Sequence, residues 1–149
     1  MTNVSGARHP EEAMRETCRL IRLPSVTDVR GSLSFIESSE HFPAPIRRVY
    51  YLTGVPEGER RGGHAHRRGQ QLVIALAGSF DVMVDDGHVR MSFTLDRPDD
   101  GLFIPTGCWR ELNNFSAGAV CLVLASEHYD ADDYVRDYDE FAGSTPSRQ

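Results

Sequence analysis

Alternation of apolar and polar side chains is the dominant pattern along this chain. Over residues 79–87 (SFDVMVDDG), Phe80, Val82 and Val84 share one face of an extended segment, with Asp81, Met83 and Asp85 on the other. A period of two is that of a half-buried strand. Asp86 and Gly87 then supply a hairpin turn, and Val89, Met91 and Phe93 resume the alternation over 88–95. Further runs rich in β-branched or aromatic residues cover 18–24, 32–37, 46–55, 71–78, 101–107, 109–115 and 119–126. Each is short and bounded by Gly, Pro, Asp or Asn, with turns expected at 98–101 and at Asn113-Asn114. Helical turns are expected in two places only. One is around 11–19; the other is the closing HYDADDYVRDYDEF (128–141), through Tyr134, Tyr138 and Phe141 packing back onto the strands. Many short strands with little helix predict an all-β sandwich or barrel. Residues 1–17 read as a loosely ordered extension, 18–141 as the folded domain and 142–149 as a tail, with no internal repeats.

Composition adds limits. A chain of 149 residues, 40% hydrophobic, is one domain's worth and can bury a real core. No apolar run approaches the roughly 20 residues that span a bilayer. The start, MTNVSGARHPEEAMRETCRL, lacks the apolar stretch of a secretory signal. The three cysteines (Cys18, Cys108, Cys121) are odd in number, far apart and without CxxC spacing, which suits a reducing compartment, so a cytoplasmic location is expected. A net charge of −6 argues against nucleic acid or an anionic membrane as partner. Yet all 16 basic side chains are arginine, and Arg47, Arg48, Arg60, Arg61, Arg67 and Arg68 are clustered. Dense arginine in an acidic chain suits a small anion such as a phosphate or diphosphate, which the guanidinium fork binds bidentately. Solvated strand edges are the alternative for at least half of them.

The arginines of 60–71 (RRGGHAHRRGQQ) surround His64 and His66. Residues i and i+2 of a strand face the same side, so both imidazoles would point into a barrel's interior together. After His66 come four residues, Gln71, six residues and Gly78. Later come Pro105, Gly107, Arg110 and Asn114, again at fixed intervals. These spacings resemble the two motifs of the cupins, small β-barrels that hold a metal with three histidines and a glutamate. Here Gln71 stands at the glutamate position and Arg110 at the third histidine. Glutamine is a neutral, poor ligand, and a guanidinium has no lone pair to donate and repels a cation. No metal and no other cofactor is therefore expected. The competing reading of the pair, two satisfied core histidines, does not explain why both should face an arginine-bearing cavity.

With the motifs in place, the chain resembles the sugar 3,4-ketoisomerase family of metal-free cupins over roughly 18–141. The resemblance rests on RGSL (30–33), RRVYYLTGVPEGERRGGHAH (47–66), GLFIPTGCWRELNNFS (101–116) and YDADDYVRDYDEF (129–141). It departs at Gly63, where a phenylalanine is expected, and in HAHRR, where lysines are. It implies a jelly-roll barrel in a homodimer that exchanges N-terminal strands, a part that 18–24 could play. It also implies action on a dTDP-linked 4-keto-6-deoxyhexose in bacterial deoxysugar synthesis. Such a reaction takes a proton from C3, passes through an enediol(ate), and moves the carbonyl from C4 to C3. Histidine, which titrates near neutrality, can both take and return that proton. On this reading His66 is the acid/base at carbon and His64 its partner at the oxygens, an order the sequence leaves open. Arg110 stabilises the enediolate, and Tyr50 is a second polar group unless it is simply core. Arg48 and Arg61 bind the diphosphate, Gln71 and Trp109 line the pocket, and Arg47, Arg60, Arg67 and Arg68 are solvated. The alternatives are a 3,5-epimerase of the same substrate class, a non-catalytic cupin that binds a sugar nucleotide, and a metal-dependent dioxygenase.

Overall fold

The computed structural model describes residues 18–145. The short helix expected around 11–19 falls mostly outside the described residues, and Arg19 opens the first strand. Twelve strands follow in order: β1 (Arg19–Arg22), β2 (Ser25–Asp28), β3 (Gly31–Ser34), β4 (Arg48–Thr53), β5 (Arg61–His66), β6 (Gln71–Ala77), β7 (Phe80–Asp85), β8 (Arg90–Leu95), β9 (Asp100–Ile104), β10 (Trp109–Asn113), β11 (Val120–Ala125) and β12 (Tyr134–Val135). A single 3₁₀ turn (Ala131–Asp133) precedes β12, and the helix α1 (Tyr138–Ser144) closes the chain. Among the described residues no helix is long and apolar enough to cross a membrane.

The strands form two five-stranded antiparallel sheets, β1-β9-β6-β11-β4 and β12-β5-β10-β7-β8. Alternation explains how they pack. Val73, Ala75, Leu102, Ile104, Cys121 and Val123 of the first sheet meet Phe80, Val82, Val84, Leu95 and Leu112 of the second in one buried layer. This is the jelly-roll barrel of a cupin, and fully burying each large side chain in it stabilises the fold by roughly 1.5–3 kcal/mol. The near-continuous apolar run of β6 has a second reason. Its other face, Leu72 and Ile74, packs with Phe103, Leu124, Leu23 and Phe42 on the far side of the sheet. The segment 36–46 covers that layer through Ile36, Ala44 and Ile46. Behind the second sheet, Ala65, Trp109 and Val135 pack with Phe141 of α1.

The turn expected at Asp86-Gly87 forms as a four-residue loop. The Asp86 carboxylate accepts from the backbone N–H groups of His88 and Val89 at 2.8 and 2.9 Å. The closing segment is helical only in part. Asp137 caps α1 through the Glu140 N–H, and Tyr138 and Phe141 pack back as expected, but Tyr134 lies in the strand β12. That short strand pairs with the free edge of β5, Tyr134 opposite His66 and Val135 opposite Ala65. The hairpin β2–β3, whose first strand falls in none of the expected runs, pairs only with itself and leaves Val26, Val29 and Leu33 exposed.

Candidate active site

The two sheets splay at one end into an open cavity of about 560 Å³, within the range of small-molecule sites. His64 lines it because of a local irregularity in β5. The β5–β10 register slips between Arg110, which faces His64, and Glu111, which faces Gly62, leaving Gly63 as an extra residue. Gly62 and Gly63 have φ of +80° and +70°, values that glycine adopts without strain. A Cβ on Gly62 would lie 3.0 Å from the Arg110 carbonyl oxygen. This bulge accounts for the glycine at 63. It also turns His64 toward Arg110, while His66, two residues on, follows on the same side. The two rings meet edge to face, centroids 4.9 Å apart.

Arg110 is buried, 2% exposed, and faces no carboxylate among its hydrogen-bond partners. Its Nη1–H donates to Gln71 Oε1 at 2.7 Å and its Nη2–H to the Cys108 carbonyl at 2.9 Å. The two residues that depart from a cupin metal set are thus bonded to each other. Gln71 spends its carbonyl oxygen on the guanidinium, and the remaining donors near His64 and His66 do not fit a divalent cation. Among the described residues no group of three or more His, Cys, Asp and Glu could hold one.

That buried cation tunes its neighbours. Burial, then the charge of Arg110, push His64 down to about 3 and His66 to about 4. Both are neutral near pH 7, able to accept a proton. Burial pushes the Tyr50 phenol above its ordinary range, which keeps it protonated beside Arg110. Neither ring nitrogen of His64 makes a well-formed hydrogen bond among the described residues, the Gly62 backbone being its nearest weak partner, and His66 Nε2 makes none. His64 lines the cavity, although both of its ring nitrogens are buried, whereas His66 is 1% exposed and packs edge to face against it.

Asp133 gives His66 its other contact, Oδ2 lying 2.9 Å from Nδ1. The carboxylate is 3% exposed, and its Oδ1 accepts the Arg68 backbone N–H at 2.7 Å. Burial works against the Asp133 charge, but the hydrogen bonds from His66 and Arg68 outweigh it and hold its carboxyl below the usual range. Sequence reasoning missed both Asp133 and Tyr134, whose ring lies 4.5 Å from that of His66 and 4.9 Å from that of His64. In the run DADDY nothing separates Asp133 from Asp132; only the pairing of β12 with β5 does.

Of the residues read from the sequence, Tyr50, Gln71, Arg48, Arg61, His64 and Arg110 all line the cavity. Trp109 does not. It neighbours Arg110 on β10 and therefore faces the opposite side of the sheet, against Tyr138 and Phe141 at 5.3 and 5.7 Å between ring centroids. Arg60, expected to be solvated, lines the mouth, as does Arg136, stacked 4.4 Å over the Tyr134 ring. Arg67 and Arg68 instead reach Glu140 and Asp130 at the surface. Arg47 donates to the Ser126 carbonyl.

Comparison with known proteins shows which family the chain belongs to. A TDP-4-oxo-6-deoxy-α-D-glucose-3,4-oxoisomerase from Aneurinibacillus thermoaerophilus is 42% identical over 123 residues, which cover 83% of this chain and 88% of that protein. The solved structure of the WlaRB TDP-quinovose 3,4-ketoisomerase from Campylobacter jejuni superposes with a TM-score of 0.82 at 43% identity, covering 85% of this chain and 98% of the other. A 3,4-ketoisomerase from Thermoanaerobacterium thermosaccharolyticum, solved as a histidine-to-asparagine mutant with TDP-4-keto-6-deoxyglucose, superposes with a TM-score of 0.84 at 36% identity, covering 87% and 94%. The family model for FdtA (WxcM-like, C-terminal) matches residues 16–145, and the chain belongs to that family.

Proposed function

We propose that this protein is an isomerase that converts dTDP-4-keto-6-deoxy-D-glucose to its 3-keto isomer. The observation that carries the reading is the cavity floor: a histidine that lines it, edge to face with a second imidazole and beside a buried arginine without a counterion. The names of the relatives, oxoisomerase and ketoisomerase of TDP-sugars, support the substrate class.

A C4 ketone acidifies the C3–H bond. A neutral base takes that proton and the electron pair becomes the C3=C4 bond, leaving the negative charge on O4. Arg110 stabilises this oxyanion in a site with little water, where a fixed cation acts most strongly. The O3 proton moves to O4, the base returns its proton to C4, and the carbonyl now stands at C3. No electrons leave the sugar, so no redox cofactor is required. The place of His64 in the cavity lining favours it as the base at carbon and His66 as the carrier between the oxygens, the reverse of the order expected from sequence. At the mouth, Arg48 and Arg61, joined by Arg60 and Arg136, suit a diphosphate. The free cysteines support a cytoplasmic setting. The exposed β2–β3 hairpin, which pairs only with itself among the described residues, joins the segment 18–24 as a candidate for exchange in a homodimer.

The test is NMR of the sugar nucleotide incubated with the protein in D2O. The expected result is loss of the C3–H signal and growth of a 3-keto product labelled at C4. Binding without any exchange at C3 would overturn the reading in favour of a non-catalytic binder.

A further inference from the structure

Asp133 lies 67 residues from His66 in sequence, yet among the described residues it is the one side chain hydrogen-bonded to that ring. We infer that Asp133 is the positioning residue of the catalytic pair: it holds the His66 proton on Nδ1, so that Nε2 presents its lone pair toward His64 and the cavity floor. The effect on rate rests on the isomerase reading; the tautomer does not.

An ionised carboxylate only accepts hydrogen bonds, and a neutral imidazole carries one N–H. With Oδ2 of Asp133 at 2.9 Å from Nδ1, the single proton of His66 must sit on that nitrogen. Asp133 is itself held through its side chain, its backbone and the turn that carries it. Its Oδ1 takes the Arg68 N–H at 2.7 Å, and the Asp133 carbonyl takes the Arg67 N–H at 2.8 Å. Asp130 caps the 3₁₀ turn that carries it, accepting from Asp132 N at 3.0 Å. Gly69 makes room for it, since a Cβ there would lie 2.9 Å from Oδ2. The charges facing the ring, Arg110 and Arg48, oppose its protonation, so the second nitrogen stays bare. A carrier between two sugar oxygens needs that bare nitrogen to accept the O3 proton before giving it to O4, and the Asp133 carboxylate stabilises the imidazolium formed between the two steps.

The arrangement makes Asp133→Asn a specific probe. The Arg68 N–H is a backbone donor and requires an oxygen, so the asparagine must turn its NH2 toward His66. Nδ1 is then forced to accept, and the proton moves to Nε2. In ¹⁵N NMR of imidazole-labelled protein, His66 of the parent should show a protonated Nδ1 and a bare Nε2, and in Asp133→Asn the two should exchange character. A merely structural carboxylate can give that exchange but would leave kcat unchanged, so an exchanged tautomer with parental kcat also overturns the positioning role. On the sugar nucleotide, kcat should fall by about 100- to 10,000-fold, the usual scale of general acid–base contributions, with KM little changed. A parent spectrum with the proton on Nε2 overturns the inference, whatever the variant does. So does an Asp133→Asn protein whose tautomer and kcat stay within about threefold of the parent's pattern and rate. Should the variant not fold, the parent spectrum alone decides. Should the parent spectrum be as expected while no sugar nucleotide is turned over, the proposed function fails and the positioning of His66 stands.

Discussion

The floor and the mouth of the cavity use arginine in opposite ways. At the floor, Arg110 is almost wholly buried and bonded only to neutral oxygens, with its Nε unpartnered. At the mouth, Arg60, Arg61 and Arg136 are exposed and Arg48 is half-buried, its Nη2–H reaching the Tyr134 hydroxyl at 3.3 Å. An uncompensated buried charge is destabilising by several kcal/mol. A fold retains one where negative charge develops during a reaction, because a pre-oriented cation then needs no rearrangement. Exposed arginines contribute little to stability, and their flexible reach suits a ligand that brings its own charge. On the proposed function, the floor serves the transition state and the mouth serves binding.

The largest test of that division is at the histidines. His64→Asn should abolish isomerisation and C3–H exchange by about 10,000-fold or more, because carbon deprotonation is the whole reaction. The variant should still bind dTDP. His66→Asn should be severely slowed but retain slow deuterium exchange at C3. If His64→Asn exchanges C3–H at near-parental rate while His66→Asn does not, the two roles stand the other way round.

Arg110→Met comes next. The loss of a single oxyanion-stabilising group should lower kcat by about 100- to 1,000-fold. The melting temperature should hold or rise, since a buried charge without a counterion has been replaced by an apolar chain of similar length. A sharply lower melting temperature with kcat intact would make Arg110 a structural residue and erase the contrast with the mouth.

At the mouth the pattern should invert. Arg61→Ala and Arg48→Ala should each weaken dTDP binding by about 10- to 100-fold in calorimetry, the range of a lost charge-assisted hydrogen bond. Turnover at saturation should change only a few-fold. Unchanged dTDP affinity in both variants would show that the anion lies elsewhere.

The last test is of stability against pH. The histidines titrate near 6.5 when unfolded, but at about 3 (His64) and about 4 (His66) when folded. Between those values the unfolded chain binds more protons, so stability is whole above pH 6.5 and falls as the pH drops toward 4. The melting temperature of the parent should therefore decline more steeply from pH 6.5 to 4.5 than that of a His64→Asn, His66→Asn double variant. Equal slopes would mean that the two rings are not buried as neutral imidazoles.

Local pattern alone determined most of the barrel and much of the floor. A period of two is a property of the backbone, so Phe80, Val82 and Val84 had to share a face, and so did His64 and His66. The intervals to Gln71 and Arg110 likewise carried those two side chains into the same cavity. The same rule puts Trp109 on the face opposite Arg110, against α1, although its nearness in sequence suggested the pocket. Tertiary structure decided what meets the pair from outside its own strand. The Gly62–Gly63 bulge sets which ring reaches the cavity, and it exists only as a slip of register against β10. Asp133 and Tyr134 reach the histidines because a two-residue strand takes the open edge of β5. No periodicity marks that strand, since an edge can pair with any extended segment that arrives there, and the arrival is set by the packing of α1 over Trp109 and Ala65.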